Sequence, residues 1–262
     1  MAQPIWQIDA FTDRPFAGNP AAVCFLEDER DAGWMQSLAG EMNLSETAFV
    51  RPLADGFSLR WFTPTIEVPL CGHATLASAH FLYASGKVPP ADAIRFHTKS
   101  GVLTASRNGE RIELDFPATL PQEGTPPTGL LAALGLKSSP FIGKTSLDTY
   151  LVLTEPERLR TLAPDFAALG PLAHGVIITA ASDDERYDFL SRFFAPAAGI
   201  NEDPVTGSAH CALAPYWIKR LGRQELTGCQ ASKRGGTVYT RLAGDRVILA
   251  GHAVTVLRGE LE

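Results

Sequence analysis

Glu67-Val68-Pro69-Leu70-Cys71-Gly72-His73-Ala74-Thr75-Leu76-Ala77 and Glu202-Asp203-Pro204-Val205-Thr206-Gly207-Ser208-Ala209-His210-Cys211-Ala212 are one phrase used twice. Both obey E-x-P-x-x-G-x-A-x-x-A, the second starting 135 residues after the first. Upstream, Arg60-Trp61-Phe62-Thr63-Pro64 answers Arg192-Phe193-Phe194-Ala195-Pro196, and downstream Arg111-Ile112-Glu113-Leu114 answers Arg246-Val247-Ile248-Leu249. An offset near half of the 262 residues means that a whole domain has been duplicated. Two half-domains are expected, residues 1–117 and 118–262, with the terminal strand 252–262 packing on the first.

Within each copy a β-like run enters a proline-broken loop, and the loop ends at the glycine that opens a helix. These helices, at about 73–83 and 208–221, are rich in alanine and apolar nearly all round, which marks helices buried on every side. A third helix is predicted at 31–43, where Trp34, Met35, Leu38, Ala39 and Met42 fall at helical spacing. Strand candidates lie at 5–11, 21–25, 48–51, 94–98, 102–106, 111–116, 150–153, 175–180, 236–241 and 247–251. The pattern predicts an α+β fold with two sheets, each wrapped round its own central helix. Residues 118–129 break the periodicity and are the expected linker.

Lys plus Arg number 23 and Asp plus Glu 29, a net charge of −6, with no block of five like charges. That balance argues against a nucleic-acid or anionic-membrane partner. No apolar run approaches the roughly 18 residues that span a bilayer, and Met1–Asp9 lacks a basic leader, so a cytoplasmic protein is expected. Cys24, Cys71, Cys211 and Cys229 show no C-x-x-C spacing and make no disulfide framework.

Each central helix begins at a glycine, Gly72 or Gly207, where backbone N–H groups and the positive end of the dipole converge on a carboxylate-sized anion site. If the halves are related by a pseudo-twofold axis, both helix starts serve one small carboxylate. Cys71 and His73 stand at the first start, Thr206 and Ser208 at the second, with Asp203 three residues before Thr206. A two-base racemase needs a proton carrier on each face of the substrate carbon, and two thiols at equivalent helix starts would supply them. Thr206 at the second position disfavours that symmetrical exchange. Cys211 and Cys229 read as core thiols. Glu46, in Asn43-Leu44-Ser45-Glu46-Thr47-Ala48, falls between a helix end and an apolar strand, where a partly buried carboxylate can work as a general acid–base. Capping or surface placement is its alternative. Searches for dinucleotide, P-loop, zincin and nucleophile-elbow motifs fail, and no His/Cys/carboxylate cluster is visible in the spacing. Nothing in the motifs calls for a nucleotide, flavin or metal.

Five ordered motifs, Asp9-Ala10-Phe11-Thr12-Asp13-Arg14-Pro15-Phe16-Ala17-Gly18-Asn19-Pro20, Asn43-Leu44-Ser45-Glu46-Thr47, Cys71-Gly72-His73-Ala74-Thr75, Glu202–Ala209 and Gly251-His252-Ala253-Val254, resemble the PhzF family of phenazine-biosynthesis-like isomerases. The resemblance runs from residue 8 to the C-terminus. It implies the diaminopimelate-epimerase-like fold, with two pseudo-symmetric domains, each a curved and mostly antiparallel sheet round a central helix. It also implies a homodimer and no cofactor. The family's characterised reaction isomerises a dihydro-hydroxyanthranilate, one glutamate removing a ring proton and returning it elsewhere. By that resemblance Glu46 is the base and then the acid, while His73, Asp203 and Ser208 hold substrate. Cys71-Gly72-His73-Ala74 departs from the phenazine enzyme, which has a proline after the histidine and no cysteine before the glycine.

Three readings follow. The first is a cofactor-independent isomerase acting through Glu46 on a small, cyclic or unsaturated carboxylate. The second is a racemase, epimerase or dehydratase of amino or hydroxy acids acting through Cys71. The third is a non-catalytic carboxylate-binding protein.

Overall fold

The structure, a computed structural model, describes residues 3–145 and 148–261. The chain divides into two units, Met1–Phe116 with Ile248–Glu262, and Pro117–Val247. The first unit runs β1 (Gln3–Ala10), β2 (Asn19–Phe25), α1 (Ala32–Met42), β3 (Glu46–Leu53), β4 (Gly56–Phe62), β5 (Glu67–Val68), α2 (Gly72–Ala84), β6 (Ile94–Thr98), β7 (Gly101–Asn108) and β8 (Arg111–Pro117). The second runs β9 (Gln122–Glu123), α3 (Leu130–Ala133), β10 (Ile142–Lys144), β11 (Thr149–Leu153), α4 (Pro156–Thr161), α5 (Phe166–Leu169), β12 (Gly175–Ala181), β13 (Phe189–Ala195), β14 (Ile200–Asp203), α6 (Gly207–Leu221), β15 (Glu225–Gln230) and β16 (Gly236–Ala243). Then β17 (Arg246–Gly251) leads into β18 (Ala253–Leu261).

Pairing repeats with the sequence. In the first unit β2 lies parallel to β3, β3 antiparallel to β4, β4 antiparallel to β5 and parallel to β6, and β6 antiparallel to β7. In the second, β11, β12, β13, β14, β15 and β16 follow the same order and the same directions. One strand of each repeat is placed differently from the rest. β9 follows the first repeat yet pairs with β10, and β18 follows the second yet pairs with β1. The terminal strand therefore packs on the first unit.

The two central helices are buried because their sequences offer no polar face. In α2, Ala74, Leu76, Ala77, Ala79, Phe81 and Leu82 are all buried, and the helix packs on β1, β2, β3 and β18. Burying each large side chain here contributes roughly 1.5–3 kcal/mol. α6 is buried from Ala209 to Ile218 and packs on β15 and β16. It carries Pro215 in its interior. A proline there has no N–H to give the carbonyl four residues back, and an unpaired buried carbonyl is costly. The Thr119 N–H takes that carbonyl, Cys211 O, at 3.0 Å.

α1 is bounded as its sequence predicts. Asp31 is the N-cap and accepts from Trp34 N at 2.9 Å, and Asn43, at φ +49°, ends the helix in the left-handed region that Asn tolerates. Elsewhere the bounds differ. Glu46 is the first residue of β3 rather than part of the connection before it. Within the expected linker 118–129, Gln122 and Glu123 form β9 against Lys144 and Gly143. Edge pairing uses only backbone groups, so two polar residues leave no periodic signal. The short helices α3, α4 and α5 were likewise invisible, since four to six residues do not fill two helical periods.

No helix of the described residues is long and apolar enough to cross a membrane.

Candidate functional site

The repeated Glu of E-x-P-x-x-G is structural. Arg60 Nε and Nη2 donate to Glu67 Oε1 and Oε2 at 2.8 and 2.9 Å, and Arg192 Nε and Nη2 donate to Glu202 Oε1 and Oε2 at 2.7 and 2.9 Å. Both are parallel, two-bond forks of the strong kind. Each ties the end of a long strand, β4 or β13, to the short strand that leads into a central helix. Arg60 holds the Glu67 carboxyl below the usual carboxylate range. The duplicated motif thus fixes where each helix begins.

Neither helix start is closed by a side chain. Cys71 is the N-cap of α2 and Thr206 the N-cap of α6, both extended, and neither caps its helix through its side chain. Thr206 Oγ1 donates instead to Asp203 Oδ2. Capping side chains normally serve the first N–H groups, so an uncapped N-terminus leaves donors and a positive dipole end for an anion. Gly72 and Gly207 begin the two helices, where the sequence expects them to.

In the first unit the structure brings Glu46, Cys71 and His73 together. His73 is buried, with Nε2 3.2 Å from Glu46 Oε2 and Nδ1 3.5 Å from Cys71 Sγ. The Nε2 contact is at ion-pair distance and off the line of a full hydrogen bond. Such contacts commonly tighten when substrate binds. Burial drives the His73 pKa down to about 3, so the ring is neutral at physiological pH. The Glu46 side chain is 12% exposed, a carboxylate half withdrawn from water yet reachable.

A fourth residue, Asn19, belongs to this cluster and carried no chemical signal in the sequence beyond its place in the first motif. Its Nδ2 lies 3.1 Å from His73 Nδ1. Gly18 sets its position: at φ +64° a Cβ there would lie 2.1 Å from Ala10 O, so only glycine lets the chain turn into β2 at Asn19.

The expectation that no His/Cys/carboxylate cluster exists is corrected. One ligand atom each from Glu46, Cys71 and His73 lie within 4.8 Å of one another, a set able to hold a metal ion. Spacing hid it because Glu46 and Cys71 are 25 residues apart in sequence and meet only in the folded chain. Cys71 faces Nδ1 and Glu46 faces Nε2 of one ring, so an ion on one ring nitrogen would leave the opposite nitrogen to its own partner, as in metal-bound histidines that donate their second N–H to a carboxylate.

In the second unit Asp203, at the end of β14, and Thr206 are joined by Gln230, which sequence reading missed. Thr206 N donates to Gln230 Oε1 at 2.9 Å, and Gln230 Nε2 donates to Asp203 O at 2.8 Å. Gln230 is wholly buried at the end of β15. Ser208, half-buried in the first turn of α6, borders a narrow crevice with Thr145 and Thr149. Cys211 is a core thiol, its pKa pushed up to about 12 by burial. Cys229 is half-buried and packs against the second unit's core, its pKa also raised by burial. His252, from the last motif, does not join Glu46; it lines a separate cavity of about 330 Å³ with His80 and Arg107.

Two repeats of mixed sheet round a buried helix, with uncapped helix starts carrying the polar residues, define a class: a diaminopimelate-epimerase-like α+β fold of the kind that carries isomerases. The chain belongs to the phenazine biosynthesis-like (PhzC-PhzF) family, whose model matches residues 8–259. An uncharacterized isomerase of Halalkalibacterium halodurans is 53% identical over 263 residues, covering 100% of this chain and 99% of that one. A crystal structure of a PhzF-family protein from Enterococcus faecalis, 40% identical, superposes with a TM-score of 0.94 over 100% of both chains. A hydroxyproline epimerase from Agrobacterium vitis, 11% identical, shares the fold alone, with a TM-score of 0.61 over 99% of this chain and 92% of that one. The enzyme class is isomerase, as the named relatives have it.

Proposed function

We propose that the protein moves a proton within a small carboxylate-bearing metabolite, cyclic or unsaturated, with Glu46 as the group that removes and returns it. The observation that carries this reading is the Glu46 carboxylate held 3.2 Å from a buried, neutral His73 at the start of an uncapped helix. A neutral imidazole leaves Glu46 as the base of its own cluster. In the first unit the helix start at Gly72, with His73 beside it, offers N–H groups to a carboxylate, and in the second unit the start at Gly207, with Asp203, Thr206 and Ser208, offers the same. The uncapped helix starts support that assignment. A proton shift of this kind needs no redox partner and no metal, so the reaction runs without a cofactor. The active species is a homodimer in the cytoplasm.

The test is a panel of small cyclic and unsaturated carboxylic acids, screened by thermal shift and then by deuterium incorporation from heavy water. Incorporation that Glu46→Gln abolishes supports the reading, and incorporation that it leaves intact overturns it. Light scattering on the purified protein checks the dimer, and turnover after exhaustive chelation checks the absence of a metal.

Cys71 Sγ, 3.5 Å from His73 Nδ1 and buried at 7% exposure, favours a second reading, in which the thiol carries the proton of an amino- or hydroxy-acid substrate. Binding without any solvent exchange would leave the carboxylate-binding reading in place of both.

A further inference from the structure

We infer that Asn19 is a positioning residue that fixes the tautomer of His73, so that the imidazole presents Nε2–H, and not a lone pair, to Glu46. The inference rests on the reading of Glu46 as the base and names the device that keeps that carboxylate ready.

The argument begins in the sheet. β2 and β3 run parallel, with Ala21 opposite Glu46. Side chains alternate along a strand, so Asn19, two residues before Ala21, lies on the same face as Glu46 and at the same end of the pair. The start of α2 crosses that end, placing the His73 ring between them: Asn19 Nδ2 is 3.1 Å from Nδ1, and Glu46 Oε2 is 3.2 Å from Nε2. Asn19 and His73 are both buried, at 0% and 3% exposure, so water does not exchange their roles.

A neutral imidazole has one N–H and one lone pair. The amide N–H of Asn19 meets Nδ1, and the thiol of Cys71 lies on that same nitrogen at 3.5 Å. The Asn19 N–H can only donate, so it makes Nδ1 the acceptor, and the Cys71 thiol, which can donate or accept, is compatible with that role. The ring proton is then on Nε2, facing the carboxylate. With the opposite tautomer a lone pair would face Glu46 Oε2, which only a protonated carboxyl could satisfy, and a protonated Glu46 abstracts nothing. The ring nitrogen opposite the working one is set by its own partner, as in other histidine sites.

The experiment is a long-range ¹H–¹⁵N spectrum of the histidine rings in the full-length labelled protein, with the His73 signals identified by their loss in His73→Gln. In the wild type the proton resides on Nε2. In Asn19→Asp, a near-isosteric change, the new carboxylate accepts from Nδ1, and Nδ1 becomes protonated. In Asn19→Leu the amide donor is gone and only the Cys71 thiol stays at Nδ1, so the share of His73 protonated on Nε2 falls. If Asn19→Asp fails to fold, the wild-type and Asn19→Leu spectra decide the matter. A wild-type His73 protonated on Nδ1, or an Asn19 variant with an unchanged ring pattern, overturns the inference. The spectra stand whether or not Glu46 proves to be the base. With a turnover assay in hand, Asn19→Asp lowers kcat at least tenfold while thermal stability stays near wild type.

Discussion

Arg192 grips Glu202 through two parallel hydrogen bonds, 2.7 and 2.9 Å long, and its third nitrogen donates to the carbonyls of Leu159 and Leu162 at 3.0 and 2.7 Å. One guanidinium thus joins β13, the short strand β14 and helix α4. Its side chain is 12% exposed, against 26% for Arg60 in the first repeat. Replacing Arg192 with Met strands a half-buried carboxylate and two carbonyls, and is expected to cost about 2–4 kcal/mol. Arg60→Met should cost less, about 1–2 kcal/mol, because its guanidinium is more exposed, no carbonyl bond of it is seen among the described residues, and Lys99 still pairs with Glu67. Urea titrations of the two variants check the order, and an equal loss would count against it.

Glu46→Gln keeps the shape of the side chain and removes the proposed base. Catalysis should fall at least about 10²-fold, with ligand affinity changed by less than about tenfold, because the helix-start donors remain. Solvent deuterium exchange into a bound substrate measures the first and calorimetry the second. Near wild-type exchange in this variant would falsify the proposed base.

Cys71→Ala separates the two enzyme readings. With Glu46 as the proton carrier, losing the thiol removes a pocket wall and turnover falls no more than about tenfold. A thiol carrier predicts a loss of about 10²–10⁴. Rapid inactivation by a thiol reagent, blocked by substrate, would favour the second reading.

Gln230→Leu tests the second cluster. It leaves Thr206 N and Asp203 O without the partner each has now, inside a buried site, and should cost about 2–4 kcal/mol. Ligand affinity should drop with it, since Thr206 and Asp203 lose their brace. A variant as stable as wild type in a thermal melt would show that the amide braces nothing.

Acid should unfold the protein through its histidines before its carboxylates. Burial lowers His73 to about 3 and His210 to about 4, so both are neutral when folded. The unfolded chain takes up protons at each below about 6.5, whereas the folded chain does not, so the stability they contribute is complete above pH 6.5 and is lost as pH falls toward 3–4. The slope is about 1.4 kcal/mol per pH unit for each histidine. His210→Asn should remove one such contribution between pH 6 and pH 5, read from urea midpoints at several pH values. An unchanged slope would refute the assignment.

Duplication, the glycine that opens each central helix and the burial of those helices were legible in the sequence because each is a local matter. A repeated phrase shows in one dimension, a glycine after a proline loop marks a helix start, and an alanine-rich helix without a polar face must be covered. The resemblance carried by five motifs also singled out Glu46 and His73, which the structure brings within 3.2 Å of each other. What the sequence could not show was decided by sheet register. Parallel pairing of β2 and β3 puts Asn19, Glu46 and the His73 ring at one end of a sheet, although 54 residues separate Asn19 from His73. β15 brings Gln230 to Thr206 across 24 residues. The Glu of the repeated motif, conspicuous in the sequence, is bound to an arginine, while the quieter Asn19 touches the histidine. Hydrogen bonds between strands carry no residue code, so the partners of a buried polar group become visible only when the chain has folded and the backbone register is set.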